Sequence, residues 1–217
     1  NSFTALPTMP GGLTQFYCYS NQLTALPILP NTVNDLLISS NFITNLLPLP
    51  TALQKFQCGN NLLDSLPLLP NNLVLLSCSN NLITSLPALP PSLLELICSN
   101  NLISSIPELP DSMTRMNCSS NPNLYCLPLI KIINELTFGG CPVTCAPNYG
   151  IVLTSSPNIN TLPLCDGLNP NGCQFYWNIS GKTYFDADSN CIDSAGETGL
   201  KNARILLYQN GTVNQVA

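Results

Sequence analysis

The chain has 217 residues, 20 of them proline and none histidine, with Lys and Arg totalling 6 against 11 Asp and Glu for a net charge of −5. So few basic residues leave no electrostatic footprint for nucleic acid or for an anionic membrane surface. Without histidine there is no Ser-His-Asp triad, no Cys-His dyad and no His-ligated zinc, so a non-catalytic protein is expected.

No apolar run reaches the roughly 18–20 residues of a membrane span. The first residues, Phe3 to Pro10, are the back half of a repeat unit, so Asn1 is expected to be a cut or processed end. From there the chain repeats every 20 residues. The first apolar position of each unit is Leu13, Val33, Leu53, Leu73, Leu93, Met113 and Ile133. Three residues later come Phe16, Leu36, Phe56, Leu76, Leu96, Met116 and Leu136. Two further on are Cys18, Ile38, Cys58, Cys78, Cys98, Cys118 and Phe138. An asparagine follows in six units: Asn21, Asn41, Asn61, Asn81, Asn101 and Asn121. The units close with L-P-x-L-P, as in Leu66-Pro67-Leu68-Leu69-Pro70.

A fixed period of this length marks a solenoid. The pattern L-x-x-L-x-[LC]-x-x-N-x-L-x-x-L-P-x-L-P resembles the leucine-rich repeat in its short bacterial form, over about residues 3–148. The residues themselves explain the unit. L-x-x-L-x-C alternates as a short strand, and strands of successive coils pair in parallel about 4.8 Å apart. The asparagine amides turn inward and satisfy backbone groups left unpaired by the bend, forming a ladder. Two prolines per unit forbid a helix, so the convex half is expected to run extended, near polyproline II.

The five ladder cysteines occupy a position that Ile38 fills in the second unit. They are expected to be buried free thiols used for apolar volume, since in-register Cβ vectors point alike and not at each other. The resemblance implies a binding surface on the concave face. Its candidate residues are Gln15, Tyr17, Tyr19, Lys55, Gln57, Glu95 and Arg115, among small or neutral neighbours such as Asp35, Leu37, Ser77 and Thr137. Tyr17 and Tyr19 are the aromatic pair that a hot spot would use. The same pair could pack against preceding coils.

The sixth unit gains a residue around Asn121-Pro122-Asn123, and in the seventh Cys141 replaces the ladder asparagine. Such changes suit a capping coil. Cys126 and Cys145 align one coil apart on the convex half, and a Cys126–Cys145 disulfide is expected. Residues 149–176 read as a Cys- and Pro-rich connector in which the repeat is gone. Cys126, Cys141, Cys145, Cys165, Cys173 and Cys191 form an even set outside the ladder, which reads as a disulfide framework with 15 full connectivities and an oxidising compartment.

From Trp177 the pattern changes again. Residues 177–217 hold strand-like stretches at Trp177–Phe185 and Ala203–Tyr208 and a hairpin turn at Asn210-Gly211. The segment G-x-x-Y-F-D-x-D-x-N…G-E-x-G-L-x-N-x-R-x-x-L resembles the opening of Cna-B-like (B-type) immunoglobulin-fold domains of bacterial surface adhesins. It is too short for a whole domain, so a truncated β-sandwich is expected. Within it Asp186, Asp188, Asn190, Ile192, Ser194 and Glu197 stand at positions 1, 3, 5, 7, 9 and 12 of a calcium loop, with hard oxygen donors that suit Ca²⁺. Cys191 occupies the position where that loop usually needs glycine. A structural calcium ion is the expected cofactor; a solvated polar turn is the other reading.

Asp64-Ser65-Leu66 and Asp111-Ser112-Met113 resemble the O-glycosylation sequon of Bacteroidota, as does Asp193-Ser194-Ala195. The cysteine-bearing repeat followed by a B-type module resembles surface proteins of that phylum exported by type IX secretion. The expected fold is therefore mainly β: a leucine-rich-repeat solenoid over 1–148, the connector, then a partial sandwich. The expected role is an extracellular, non-catalytic adhesion or protein-binding module with a protein or glycan ligand. A structural spacer or accessory component of a larger cell-surface complex is the alternative, and a secreted effector a further one.

Overall fold

The computed structural model describes residues 2–148, 150–165 and 171–173, and the backbone of 206–209 and 212–216. The chain divides into two units, residues 1–177 and 178–217.

The first unit is a stack of coils with one parallel sheet. Its first six strands are three residues each: β1 (Gln15–Tyr17), β2 (Asp35–Leu37), β3 (Lys55–Gln57), β4 (Leu75–Ser77), β5 (Glu95–Ile97) and β6 (Arg115–Asn117). Each pairs with the next at an offset of 20 residues, as in Lys55↔Leu75 and Leu75↔Glu95. The middle residue of each strand points into the core, and its two neighbours face outward. Thus Leu36, Phe56, Leu76, Leu96 and Met116 are fully buried.

One turn of the coil is closed by its last proline. The carbonyl of Pro30 accepts from Val33 N (3.1 Å), and those of Pro50, Pro70 and Pro90 accept likewise from Leu53, Leu73 and Leu93. Proline suits this place because it gives up only a donor that the turn does not use. The convex half contains no helix among the described residues of these coils.

A second bend precedes the ladder asparagine. Ser20, Ser40, Asn60, Asn80, Asn100 and Ser120 all hold positive φ, between 54° and 58°. That left-handed conformation explains the S-N and N-N pairs that follow every strand, and the glycine that takes the same place at Gly140 (φ 77°).

The sheet does not end at residue 148. β7 (Ile132–Thr137) is followed by β8 (Ile151–Ser156), which pairs with it in parallel at an offset of 19. The expectation that the repeat vanishes at 149 is corrected here: the consensus leucines are lost, yet an eighth rung is laid down. Two features permit it. Asn148 reaches across to Ile130, accepting from its N–H (2.9 Å) and donating to its carbonyl. Gly150 then passes so close to the Ile130 carbonyl that a Cβ would collide with it. A short 3-10 helix, Ile159–Thr161, follows and buries Ile159 under the last coil.

In the second unit the described residues form one antiparallel pair, β9 (Leu206–Gln209) and β10 (Thr212–Val216), flanking residues 210–211. The remainder of the expected sandwich lies outside the described residues. No described helix is long and apolar enough to cross a membrane.

A candidate binding surface and the columns beneath it

Three columns run along the solenoid, each built from one position of the unit. The first is the asparagine ladder. Asn61 donates to Ile38 O (3.0 Å) and Cys58 O (3.1 Å), and its Oδ1 accepts from Ile43 N (3.0 Å). Asn41, Asn81, Asn101 and Asn121 repeat the arrangement. Each amide therefore grips the carbonyl of its own coil and of the preceding one. All six ladder residues are buried.

Beside it runs the thiol column. Cys58, Cys78, Cys98 and Cys118 are fully buried free cysteines, and Cys18 at the open end is nearly so. Burial raises the Cys18 thiol to about 11 and drives Cys58, Cys78 and Cys98 higher still. A protonated buried thiol is a poor nucleophile and a poor metal ligand. These five act as small apolar side chains. Cys141 departs from the pattern. It stands in the ladder position, is only half-buried, and its Sγ donates to Cys118 O (3.1 Å) where an amide would have.

The third column is the concave surface. Register aligns its residues: Gln15 opposite Asp35 opposite Lys55, and Glu95 opposite Arg115 opposite Glu135. Arg115 is clamped from both sides, Nη1 to Glu95 (3.2 Å) and Nε to Glu135 (2.9 Å). Tyr17 donates its hydroxyl to Asp35 Oδ2 (2.8 Å), and this bond raises its pKa. Tyr17 and Tyr19 are 51% and 53% exposed. Lys55 is exposed and Gln57 half-buried on β3, two rungs along. The seven residues expected to form a surface thus share one face: Gln15 and the tyrosines on the first coil, Lys55 and Gln57 on the third, and Glu95 and Arg115 on the fifth and sixth.

A surface row that the repeat pattern did not announce lies one residue past the ladder. Phe42, Leu62, Leu82 and Leu102 are all exposed. Each follows an inward asparagine and so alternates outward. Another unannounced feature is a hydroxyl between coils: Thr32, Ser92 and Ser112 each donate to carbonyls of the preceding turn, Ser112 to Pro91 O (2.7 Å) and Leu93 O (2.8 Å). An O-linked sugar at Ser112 would remove the proton that makes those bonds. Ser65 is exposed and bonded to its neighbour Asp64.

The C-terminal end corrects one expected pairing. Cys126 is joined to Cys173 and Cys145 to Cys165, in place of a Cys126–Cys145 bridge. Cys126 and Cys145 lie in one cluster with Cys165 and Cys173, and each takes its partner from the returning chain. Residues beyond 149 fold back onto the end: Ala146 and Leu164 form a parallel bridge, with Ala146 N to Pro163 O and Cys165 N to Ala146 O both at 2.8 Å. Cys145 and Cys165 flank that bridge and face each other. Cys126 then meets Cys173, which arrives after Gly172 (φ 64°). The calcium-loop residues Asp186, Asp188, Asn190, Ile192, Ser194 and Glu197 lie outside the described residues.

No protein-family model and no curated protein sequence matches the chain. Solved structures do. YopM from Yersinia enterocolitica WA-314 superposes with a TM-score of 0.61 at 28% identity, over 71% of this chain and 39% of that one. The LRR domain of a Shigella effector gives 0.53 at 30% identity, over 64% and 66%. YopM from Yersinia pestis, described as a leucine-rich effector protein, gives 0.52 at 24% identity, over 75% and 57%, and shows the fold alone. The chain thus spans between 39% and 66% of the length of these proteins.

Proposed function

We propose that this leucine-rich-repeat protein is a non-catalytic, extracellular protein-binding or adhesion module whose concave face takes a protein or glycan partner. The exposed Tyr17–Tyr19 pair carries the reading. Two rigid aromatic side chains stand on a sheet whose register is locked by the ladder below, so little entropy is lost when they are covered. Their polar ends and the Glu95–Arg115–Glu135 row offer hydrogen bonds to either kind of partner. The two disulfides support an oxidising compartment, as at a bacterial surface.

The test is a double variant, Tyr17→Ala with Tyr19→Ala, of the full chain. Screening against a glycan array and a panel of purified extracellular-matrix proteins should yield a binder. The double variant should then bind at least about tenfold more weakly, with an unchanged melting temperature. Unchanged affinity would retire the concave face as the binding site and turn attention to the Phe42–Leu102 row.

The spacer reading has its own support. Arg115 is neutralised by its two glutamates, and Tyr17 is engaged by Asp35, so much of the concave polarity is consumed internally. A chain that binds nothing in either screen would favour a rigid structural component of a larger surface complex. The similarity to the LRR domain of a Shigella effector motivates the secreted-effector reading; the two disulfides weigh against it, because a host cytosol would reduce them.

Residues 177–217, as the start of a B-type domain, belong to the same proposal, as do type IX export and glycosylation at Ser65. The donor set of Asp186, Asp188, Asn190, Ile192, Ser194 and Glu197 is all oxygen and suits calcium. Millimolar CaCl₂ should raise the melting temperature of the second unit, and EDTA should reverse it; Asp186→Ala should abolish the shift.

A further inference from the structure

Four cysteines meet at the C-terminal end of the solenoid. Cys126 and Cys145 come from the sixth and seventh coils, and Cys165 and Cys173 from the chain that folds back over them. Cys145, Cys165 and Cys173 are buried, and their sulfurs all lie within 4.8 Å of one another. Cys126 is bonded to Cys173, so its sulfur completes the group. Among the described residues it is the only place where three or more cysteine or carboxylate side chains converge in this way. The column thiols differ in direction. They lie in register, one to a rung about 4.8 Å apart, and point alike, so they cannot surround an ion.

We propose that these four cysteines, as thiols, form a tetrathiolate zinc site, and that the two disulfides replace the ion when the chain is oxidised. Four thiols and one Zn²⁺ give the tetrathiolate and release four protons, because the metal takes the thiolate form. A disulfide oxidant then expels the ion. Two donor disulfides are reduced to four thiolates, the Cys126–Cys173 and Cys145–Cys165 bonds form, and Zn²⁺ leaves.

The geometry suits zinc. Zn–S distances of about 2.3 Å place the four sulfurs of such a site about 3.8 Å apart, at the corners of a tetrahedron. Three of the sulfurs here are already gathered within 4.8 Å, and side-chain rotation is enough to part each bonded pair. The set holds four soft sulfur donors and no histidine or carboxylate, which selects zinc over calcium or magnesium. A closed set of four protein ligands leaves no open position, so the role of the ion is structural. An entry path runs beside the group: a cleft of about 660 Å³, lined in part by Cys126, Pro128, Pro147, Gly172 and Cys173. The ion ties the returning chain to the end of the solenoid wherever the thiols persist, and the bridges tie it wherever they are oxidised.

The test uses the full chain, reduced with a phosphine under argon and freed of metal with EDTA. After ZnCl₂ and desalting it should retain one zinc ion per chain, while the chain with both bridges intact retains none. Cobalt(II) in place of zinc should give the visible absorption of a tetrahedral four-sulfur site. Oxidised glutathione should release the zinc as the Cys126–Cys173 and Cys145–Cys165 linked peptides appear in a mass map. The double variant Cys145→Ser with Cys165→Ser should bind zinc at least about tenfold more weakly, while hydrogen exchange in β2 to β5 shows the coils still folded. Should that variant not fold, the cobalt spectrum and the linked peptides of the natural chain decide. No retained zinc, a cobalt site with fewer than four sulfurs, zinc held equally by the folded variant, or zinc release without those two bridges would each overturn the proposal.

Discussion

Replacing Asn61 by Asp should destabilise the chain by about 3–5 kcal/mol at pH 7, and replacing it by Ala by about 1–3 kcal/mol. The two figures follow from what each loses. Alanine leaves the Ile43 N–H without an acceptor, while Ile38 O keeps Asn41 and Cys58 O keeps Asn81. Aspartate keeps the acceptor but turns an oxygen toward the two carbonyls that the amide nitrogen had held. A buried charge then faces two dipoles of the wrong sign. The carboxyl is forced to take up a proton, so its folded pKa rises above the unfolded value of about 4. A group with a raised folded pKa binds more protons in the folded state, and stability falls as pH rises through that region. The Asn61→Asp variant should therefore regain stability between pH 7 and pH 4, while the alanine variant shows no such trend. Urea melts at both pH values measure this. Equal costs for the two variants, flat with pH, would mean that water reaches the ladder.

The coil was legible because every inward position carries the same constraint 20 residues apart. Leucine spacing, the cysteine column and the asparagines all report one geometry, and Ile38 shows that the cysteine site asks only for volume. The same logic found the concave face, since strand alternation places Tyr17 and Arg115 outward wherever Phe16 and Met116 point inward. What escaped was everything that depends on a partner outside the period. Arg115 reads as a free cation along the chain; only the register reveals Glu95 and Glu135 on either side of it. Ser112 reads as a modification sequon, yet its hydroxyl ties two turns together. β8 has no leucine signature, because Asn148 and Gly150 do by hydrogen bonding and close approach what the consensus does by burial. Cys141 reads as one more member of an even set. Only the coil shows that it stands where an amide belongs, with its Sγ donating to Cys118 O.

Removing the two disulfides should open the C-terminal end of the solenoid and leave its middle intact. The bridge Cys126–Cys173 closes a loop of 47 residues and Cys145–Cys165 one of 20. By loop-closure entropy these are worth at most about 4 and about 3 kcal/mol, a large share of a typical domain stability of roughly 5–15 kcal/mol. In a globular domain such a loss would be felt everywhere. A solenoid differs, because each coil touches only its neighbours and the coupling is passed from rung to rung. Both bridges act beyond β6, where the consensus leucines thin out and β8 lies largely exposed on both faces. Hydrogen exchange on the double variant Cys126→Ser with Cys145→Ser should show lost protection in β7 and β8. The amides that close β2 to β5, such as Cys58 N to Ser77 O, should keep theirs. Loss of protection along the whole stack would mean that the cap nucleates the solenoid; no loss at all would mean that Asn148 and the buried Ile159 hold the end without help from the bridges. The single-bridge variants separate the terms: Cys126→Ser should cost more than Cys145→Ser if unfolded-chain entropy decides, and less if the contacts around the Ala146–Leu164 bridge decide.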